Sequence, residues 1–254
     1  MHQPAIDVHN VSKQFLIPHA QRWRLKEYFA HPLHRTTFER NQALRDVTFE
    51  VAAGEFFGVV GPNGSGKSTL LKILAGIYRA DCGLVRVKGK LSPFIELGVG
   101  FNFELSAREN VEINAMLLGL TSHELREKFD NIIAFAELER FVDQQLKNYS
   151  TGMVLRLAYS IAIQVPFDIL LLDEVLAVGD ASFQAKCFDT FATMRNEGKT
   201  VVFVSHDLDT VARFCDRALF LDRGVTQYIG DAEQVIDAYR EHERSAVPIT
   251  SDSV

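Results

Sequence analysis

Apolar and polar positions alternate at two different periods along this chain, and the changes of period mark its parts. Ala5 to Phe15 carries Ile6, Val8 and Val11 in near alternation and reads as an edge strand. Leu44 to Val51 (LRDVTFEV) alternates strictly and predicts a second strand, followed by a turn at Ala52-Ala53-Gly54-Glu55. Phe56-Phe57-Gly58-Val59-Val60 is apolar throughout, the pattern of a strand buried on both faces. Leu70 to Ala75 reads as a helix, and short strands are expected at Leu84–Val87 and Leu91–Leu97 around Gly89. From Gly98 the period lengthens. Gly98-Val99-Gly100-Phe101 is a flexible loop, and Ser106 with Glu109 three residues on is a capping signature for a helix reaching Leu118. Ser122 to Leu138 and Arg140 to Leu146 also read as helices, so residues from about 98 to 165 form a candidate helical subdomain.

Beyond Pro166 the strands return at Asp168–Glu174 and Thr200–Val204, then as a hairpin of Ala218–Leu221 and Val225–Ile229 around Asp222-Arg223-Gly224. They alternate with helices at Phe183–Glu197, Leu208–Cys215 and Asp231–Arg244. That alternation implies a mainly parallel sheet covered on both sides, with its ligand beyond the strands' carboxyl ends. Residues 1–244 then make one domain, and Ser245 to Val254 reads as a disordered tail. Residues 16 to 43 interrupt the pattern with Arg22, Arg24, Lys26, Arg35 and Arg40 among Trp23, Tyr28, Phe29 and Phe38. Leu25, Tyr28 and Phe29 fall at helical spacing, which predicts a short amphipathic helix ending before Pro32. Such a segment suits a membrane interface or a partner helix; a solvated insertion is the plainer alternative.

Composition narrows the class. With 254 residues, 47% hydrophobic and 24% charged, the chain can bury a substantial core. A net charge of −6 argues against nucleic acid as the main partner. Cys82, Cys187 and Cys215 lack metal or disulfide spacing and read as reduced thiols. No uncharged apolar run approaches the roughly 18 residues of a spanning helix, and the N-terminus lacks a signal-peptide pattern. The expectation is a cytoplasmic protein whose membrane role needs a spanning partner.

The candidate chemistry centres on Gly61-Pro62-Asn63-Gly64-Ser65-Gly66-Lys67-Ser68-Thr69, between the apolar strand and the following helix. In that context a G-x-x-x-x-G-K-S run turns backbone N–H groups inward around a polyphosphate, at the positive end of a helix. Lys67 can reach the outer phosphates and Ser68 can offer its hydroxyl to Mg²⁺. Asp173 ends an apolar strand, where a carboxylate can hold Mg²⁺ through water, and Glu174 beside it can orient an attacking water. His206 follows another buried strand and can contact a terminal phosphate, although a lone histidine is more often structural. Phe15 can stack on a purine base or serve as a core aromatic. Asn148 to Met153 opens a helix and is either a cap or a phosphate site; spacing alone does not choose.

Taken in order, these motifs resemble the nucleotide-binding subunit of an ABC transporter over about residues 5 to 240. Gly61–Thr69 resembles the Walker A motif, Ile169–Asp173 with Glu174 the Walker B motif, and Ser150-Thr151-Gly152-Met153 the signature. Ala177-Val178-Gly179-Asp180 resembles the D-loop, and His206 the switch histidine. The resemblance implies an α/β P-loop NTPase core of ABC type with an antiparallel β subdomain and an inserted helical subdomain. It implies ATP and Mg²⁺ as ligands, with Ser150 and Gly152 of a second copy completing each site of a homodimer. Gly98–Phe101, Glu104-Leu105, Arg108-Glu109-Asn110 and Glu174–Asp180 with Phe183-Gln184 and Lys186-Cys187 resemble the branch that exports O-antigen, capsule or teichoic-acid chains. That branch implies a peripheral ATPase on the cytoplasmic face of the inner membrane, bound to a polytopic permease that handles the glycan. The competing readings are a soluble ABC ATPase outside transport and a nucleotide sensor without hydrolysis. The chain departs from the family at Thr151 and Met153, which stand where Gly and Gln are usual, and at Phe103, where the branch often has proline. The Q-loop glutamine is also missing, with Glu96 the nearest polar residue.

Overall fold

The computed structural model describes residues 4–18, 38–94, 100–173 and 181–246. Two sheets share the core. In the first, β1 (Ile6–Pro18) pairs antiparallel with β2 (Phe38–Val51) on one side and β4 (Cys82–Val87) on the other. β1 is therefore a middle strand, which corrects the expectation of an edge. Ile6, Val8 and Val11 are fully buried because the chain returns to this strand twice, and no local pattern announces the second return. Beyond the sheet β1 and β2 continue as a ribbon that pairs Pro18 with Phe38, leaving Leu16, Ile17 and Phe38 exposed. The amphipathic helix expected within 16–43 falls on residues 19–37, outside the described residues; its flanks are strand.

The second sheet runs in the order β5 (Leu91–Phe94), β6 (Ile169–Asp173), β7 (Thr200–Val204), β3 (Phe56–Val60), β8 (Arg217–Asp222), β9 (Val225–Asp231). Every pairing is parallel except the β8–β9 hairpin. Every residue of β3 and β7 is buried, as an apolar run without alternation requires. The two faces of β3 serve different cores: Phe57 and Val59 pack with α1 (Lys67–Leu74) and the first sheet, Phe56 and Val60 with α5 (Ala181–Asn196) and α7 (Ala232–Ala246). α6 (Leu208–Phe214) joins the second of these cores through Val211.

A third core gathers α2 (Ala107–Leu117), α3 (Ser122–Ala136) and one side of α4 (Thr151–Gln164) around Val111, Ile132, Leu146, Leu157 and Ile161. Both α2 and α3 open with complete capping boxes, Ser106 with Glu109 and Thr121 with Glu124. Each box holds its glutamate below the usual carboxylate range, through the Ser106 or Thr121 side chain first and then the backbone N–H of the same residue. The helix expected at Arg140–Leu146 does not form. Glu137 ends α3 in the left-handed conformation, and successive turns follow to a 3-10 turn at Leu146–Asn148. The backbone from here to Lys147 bonds across to residues 103–108 instead, with Leu146 N–H on Leu105 O at 3.0 Å and Lys147 N–H on Phe103 O at 2.9 Å. Tertiary pairing overrides helical spacing here.

Candidate nucleotide site

β3 delivers the chain into the glycine loop, and three glycines there have different reasons to be glycine. A Cβ on Gly61 would stand 2.0 Å from Leu221 O, and one on Gly66 2.5 Å from Ala43 O; both residues have positive φ, +148° and +108°. These two let the loop press against β8 and β2. Gly64 also has positive φ, at +78°, but a Cβ there would meet nothing within 4 Å, so it faces open space. α1 begins at once, with Leu70 N–H on Gly66 O at 2.8 Å and no acidic residue in its first turn to offset its positive end. Lys67 is buried, and its Nζ donates to the loop's own carbonyls, Gly61 O at 2.7 Å and Pro62 O at 3.0 Å. Ser65 Oγ is buried and has no hydrogen-bond partner among the described residues. An anion in this loop would meet the positive end of α1 and a lysine beside it, so the residues fit a phosphate chain.

The loop lines a cleft of about 560 Å³ with Phe15, Asn41, Gln42, Ala43 and Arg223. Phe15 is half-buried, meets Tyr78 edge-on at 5.5 Å, and has Lys13 Nζ 5.4 Å from its ring. The expected aromatic thus shares one cleft with Asn63, Gly64, Gly66, Lys67, Ser68 and Thr69. Parallel pairing brings the next candidates to the same edge. Asp173 ends β6 opposite Val204 of β7, β7 continues into Ser205 and His206, and β7 borders β3, which leads to Gly61. Ser205 Oγ accepts from Asp207 N–H at 2.9 Å, so the exposed His206 sits within a short turn closed by that bond. Asp207 caps α6, and the Thr210 hydroxyl with the first-turn N–H groups holds its carboxyl below the ordinary value. A hydroxyl at Ser68 and a carboxylate at Asp173 are the hard oxygen donors that suit Mg²⁺.

Ser150 and Gly152 lie elsewhere, at the start of α4, and do not line that cleft. Ser150 Oγ accepts from Met153 N–H at 3.2 Å, so the cap expected from the sequence is present. Among the described residues, a Cβ on Gly152 would meet only Ser150 Oγ, at 3.8 Å, so none of them needs a glycine there. Met153 and Tyr149, where the sequence departs from or flanks the family pattern, pack against the helical core, and burial pushes the Tyr149 hydroxyl up to about 12. Glu174, residues 177–180, Glu96, Gly98 and Val99 lie outside the described residues.

Arg223 and the β2 segment Asn41–Ala43 were not singled out from the sequence as site residues. The Arg223-Gly224 pair was visible only as a turn. The fold carries that turn onto the glycine loop, where Gly224 N–H donates to Ser65 O at 2.8 Å.

Comparison with known proteins agrees with this geometry. Residues 44–177 match the family model described as ABC transporter. The chain is 40% identical to the O-antigen export system ATP-binding protein RfbB of Klebsiella pneumoniae over 242 residues, 94% of this chain and 98% of that one. It is also 40% identical to the teichoic acids export ATP-binding protein TagH of Levilactobacillus brevis, covering 93% of this chain and 64% of that protein. The dimeric structure of MJ0796, a bacterial ABC transporter cassette, superposes with a TM-score of 0.71 at 25% identity, covering 89% of this chain and 98% of that one. With the glycine loop at the head of α1, the strand ends beside it, and a family match spanning more than half its length, this chain belongs to the ABC transporter family.

Proposed function

We propose that this chain is the ATP-hydrolysing subunit of an exporter that drives a lipid-linked polysaccharide, of O-antigen, capsule or teichoic-acid type, across the cytoplasmic membrane. The observation that carries the ATPase reading is the loop itself: glycine-lined, at the positive end of α1, with a buried lysine in place. The relatives named for O-antigen and teichoic acid export support the substrate class over the soluble alternative.

In this reading Lys67 leaves the Gly61 and Pro62 carbonyls for the β- and γ-phosphates of ATP, and the N–H groups from Asn63 to Thr69 wrap the chain of phosphates. Ser68 and Asp173 hold Mg²⁺, which neutralises phosphate charge when bound. Phe15 stacks on the adenine. Glu174 orients the attacking water, and His206 contacts the terminal phosphate from the neighbouring strand end. Ser150 and Gly152, remote from the cleft of their own chain, cover the nucleotide of a second copy in a two-fold dimer. Closure on ATP and opening after hydrolysis then drive the membrane partner.

Among the described residues no helix is long and apolar enough to cross a membrane. An apolar cleft of about 480 Å³ lies between α2, α4 and the sheet edge, bordered by Ile77, Pro93, Phe101 and Leu118. Leu117 and Ile77, which also line it, are 73% and 56% exposed, which supports this face as the seat of a permease segment in a chain held at the cytoplasmic surface of the membrane. The test is Glu174→Gln, assayed with the permease for hydrolysis and by size-exclusion for dimer. The variant is expected to hold ATP in a stable dimer with little turnover. A monomer hydrolysing ATP at the normal rate would refute the reading.

A further inference from the structure

The turn at Arg223-Gly224 is built against local preference. β8 and β9 pair from Asp222 with Val225, so the loop has two residues, and both have positive φ, +48° and +75°. That is the type I′ pattern, which favours Asn or Asp in the first place, and a long side chain resists the left-handed backbone. The turn is also held in place. Gly224 N–H donates to Ser65 O and Gly224 O accepts from Arg45 N–H, each at 2.8 Å, and a Cβ on Gly224 would stand 2.6 Å from Ala43 O. An unfavourable residue kept in a fixed turn against the glycine loop directs attention to its side chain.

Arg223 is exposed, lines the same cleft as Gly64, Lys67 and Ala43, and among the described residues has neither an ion pair nor a hydrogen bond. The carboxylate next to it is engaged elsewhere, with Asp222 Oδ2 at 3.3 Å from His242 Nε2 of α7. A guanidinium offers a planar fork of donors that matches phosphate oxygens. We propose that Arg223 is a second cationic ligand for the phosphate chain of the nucleotide, acting with Lys67 and anchored through Gly224 to the loop it serves. This inference rests on the reading of the cleft as the nucleotide site.

The experiment is calorimetric titration of ADP with Mg²⁺ into the full-length chain at low and high salt, for the parent protein, Arg223→Asn, Arg223→Lys and Lys67→Ala. Asparagine is favoured at this turn position, so Arg223→Asn should melt no lower than the parent. It is expected to weaken ADP binding roughly threefold to tenfold at low salt and to flatten the salt dependence, with Arg223→Lys recovering part of the loss. Unchanged affinity in Arg223→Asn, with Lys67→Ala weakened, overturns the role of Arg223 and leaves the site standing. Parent-like binding by Lys67→Ala would instead remove the site reading beneath it. A loss in Arg223→Asn equal at both salts would trace the effect to turn shape and also overturn the proposal.

Discussion

Gly66 and Gly152 look alike as letters and differ in what compels them. Gly66 is required by the fold, since its φ of +108° and the Ala43 carbonyl leave no room for a side chain. Gly152 sits in the first turn of α4 with space around it, where glycine costs about 1 kcal/mol relative to alanine. A costly glycine that no described residue requires is what close approach by a second copy would use. Gly152→Ala is therefore expected to melt at the parent temperature or slightly above, and to lose most ATPase activity in the assembled transporter. A thermal melt paired with a phosphate-release assay checks it; normal turnover would take Gly152 out of the site. The loop from Gly61 to Thr69 was legible because its spacing and its flanks are local. Arg223 was not, because nothing near it in sequence reports that its turn lands on Ser65.

α4 shows what an element can conceal. Leu157 and Ile161 belong to the helical core, while Leu155, Tyr159 and Ala162 belong to the core under the parallel sheet. The helix is apolar nearly all round because it is buried between two cores, and Ser160, also buried, satisfies its hydroxyl on Arg156 O at 2.7 Å. It is the physical link between the candidate signature residues at its start and the sheet. Leu157→Ala, at a fully buried position, is expected to cost about 2–5 kcal/mol in a denaturant titration. A loss below about 1 kcal/mol would mean that Leu157 does not anchor α4 in the helical core. The stretch Arg140–Leu146 failed as a predicted helix for the converse reason: its backbone groups found partners at residues 105–108, and sequence spacing carries no record of partners so far along the chain.

At the scale of the whole molecule the candidate site is divided. The glycine loop with Phe15 lines one cleft, and Ser150 with Gly152 lies outside it, so the two sets of candidate residues do not line one cleft within a single chain. Two copies paired head to tail would supply both halves twice. Lys67→Ala and Gly152→Asp are each expected to be inactive alone. Mixed before assembly with the permease, they should regain up to about a quarter of the parent rate, since half of random dimers carry one intact site. No recovery on mixing, with mixed dimers verified, would place both halves of a site in the same copy.

The amino-acid sequence by itself determined most of the elements and the local chemistry of the glycine loop. Apolar runs and capping boxes act over a few residues, and a glycine loop at a helix start needs only its neighbours to bind an anion. The tertiary structure decided what sits beside what: β1 between two partners, β5 at the edge of the parallel sheet, Asp173 and His206 at adjacent strand ends, and Arg223 over the loop. Those adjacencies arise when faces far apart in the chain bury each other, and hydrophobic burial is non-directional and blind to sequence separation.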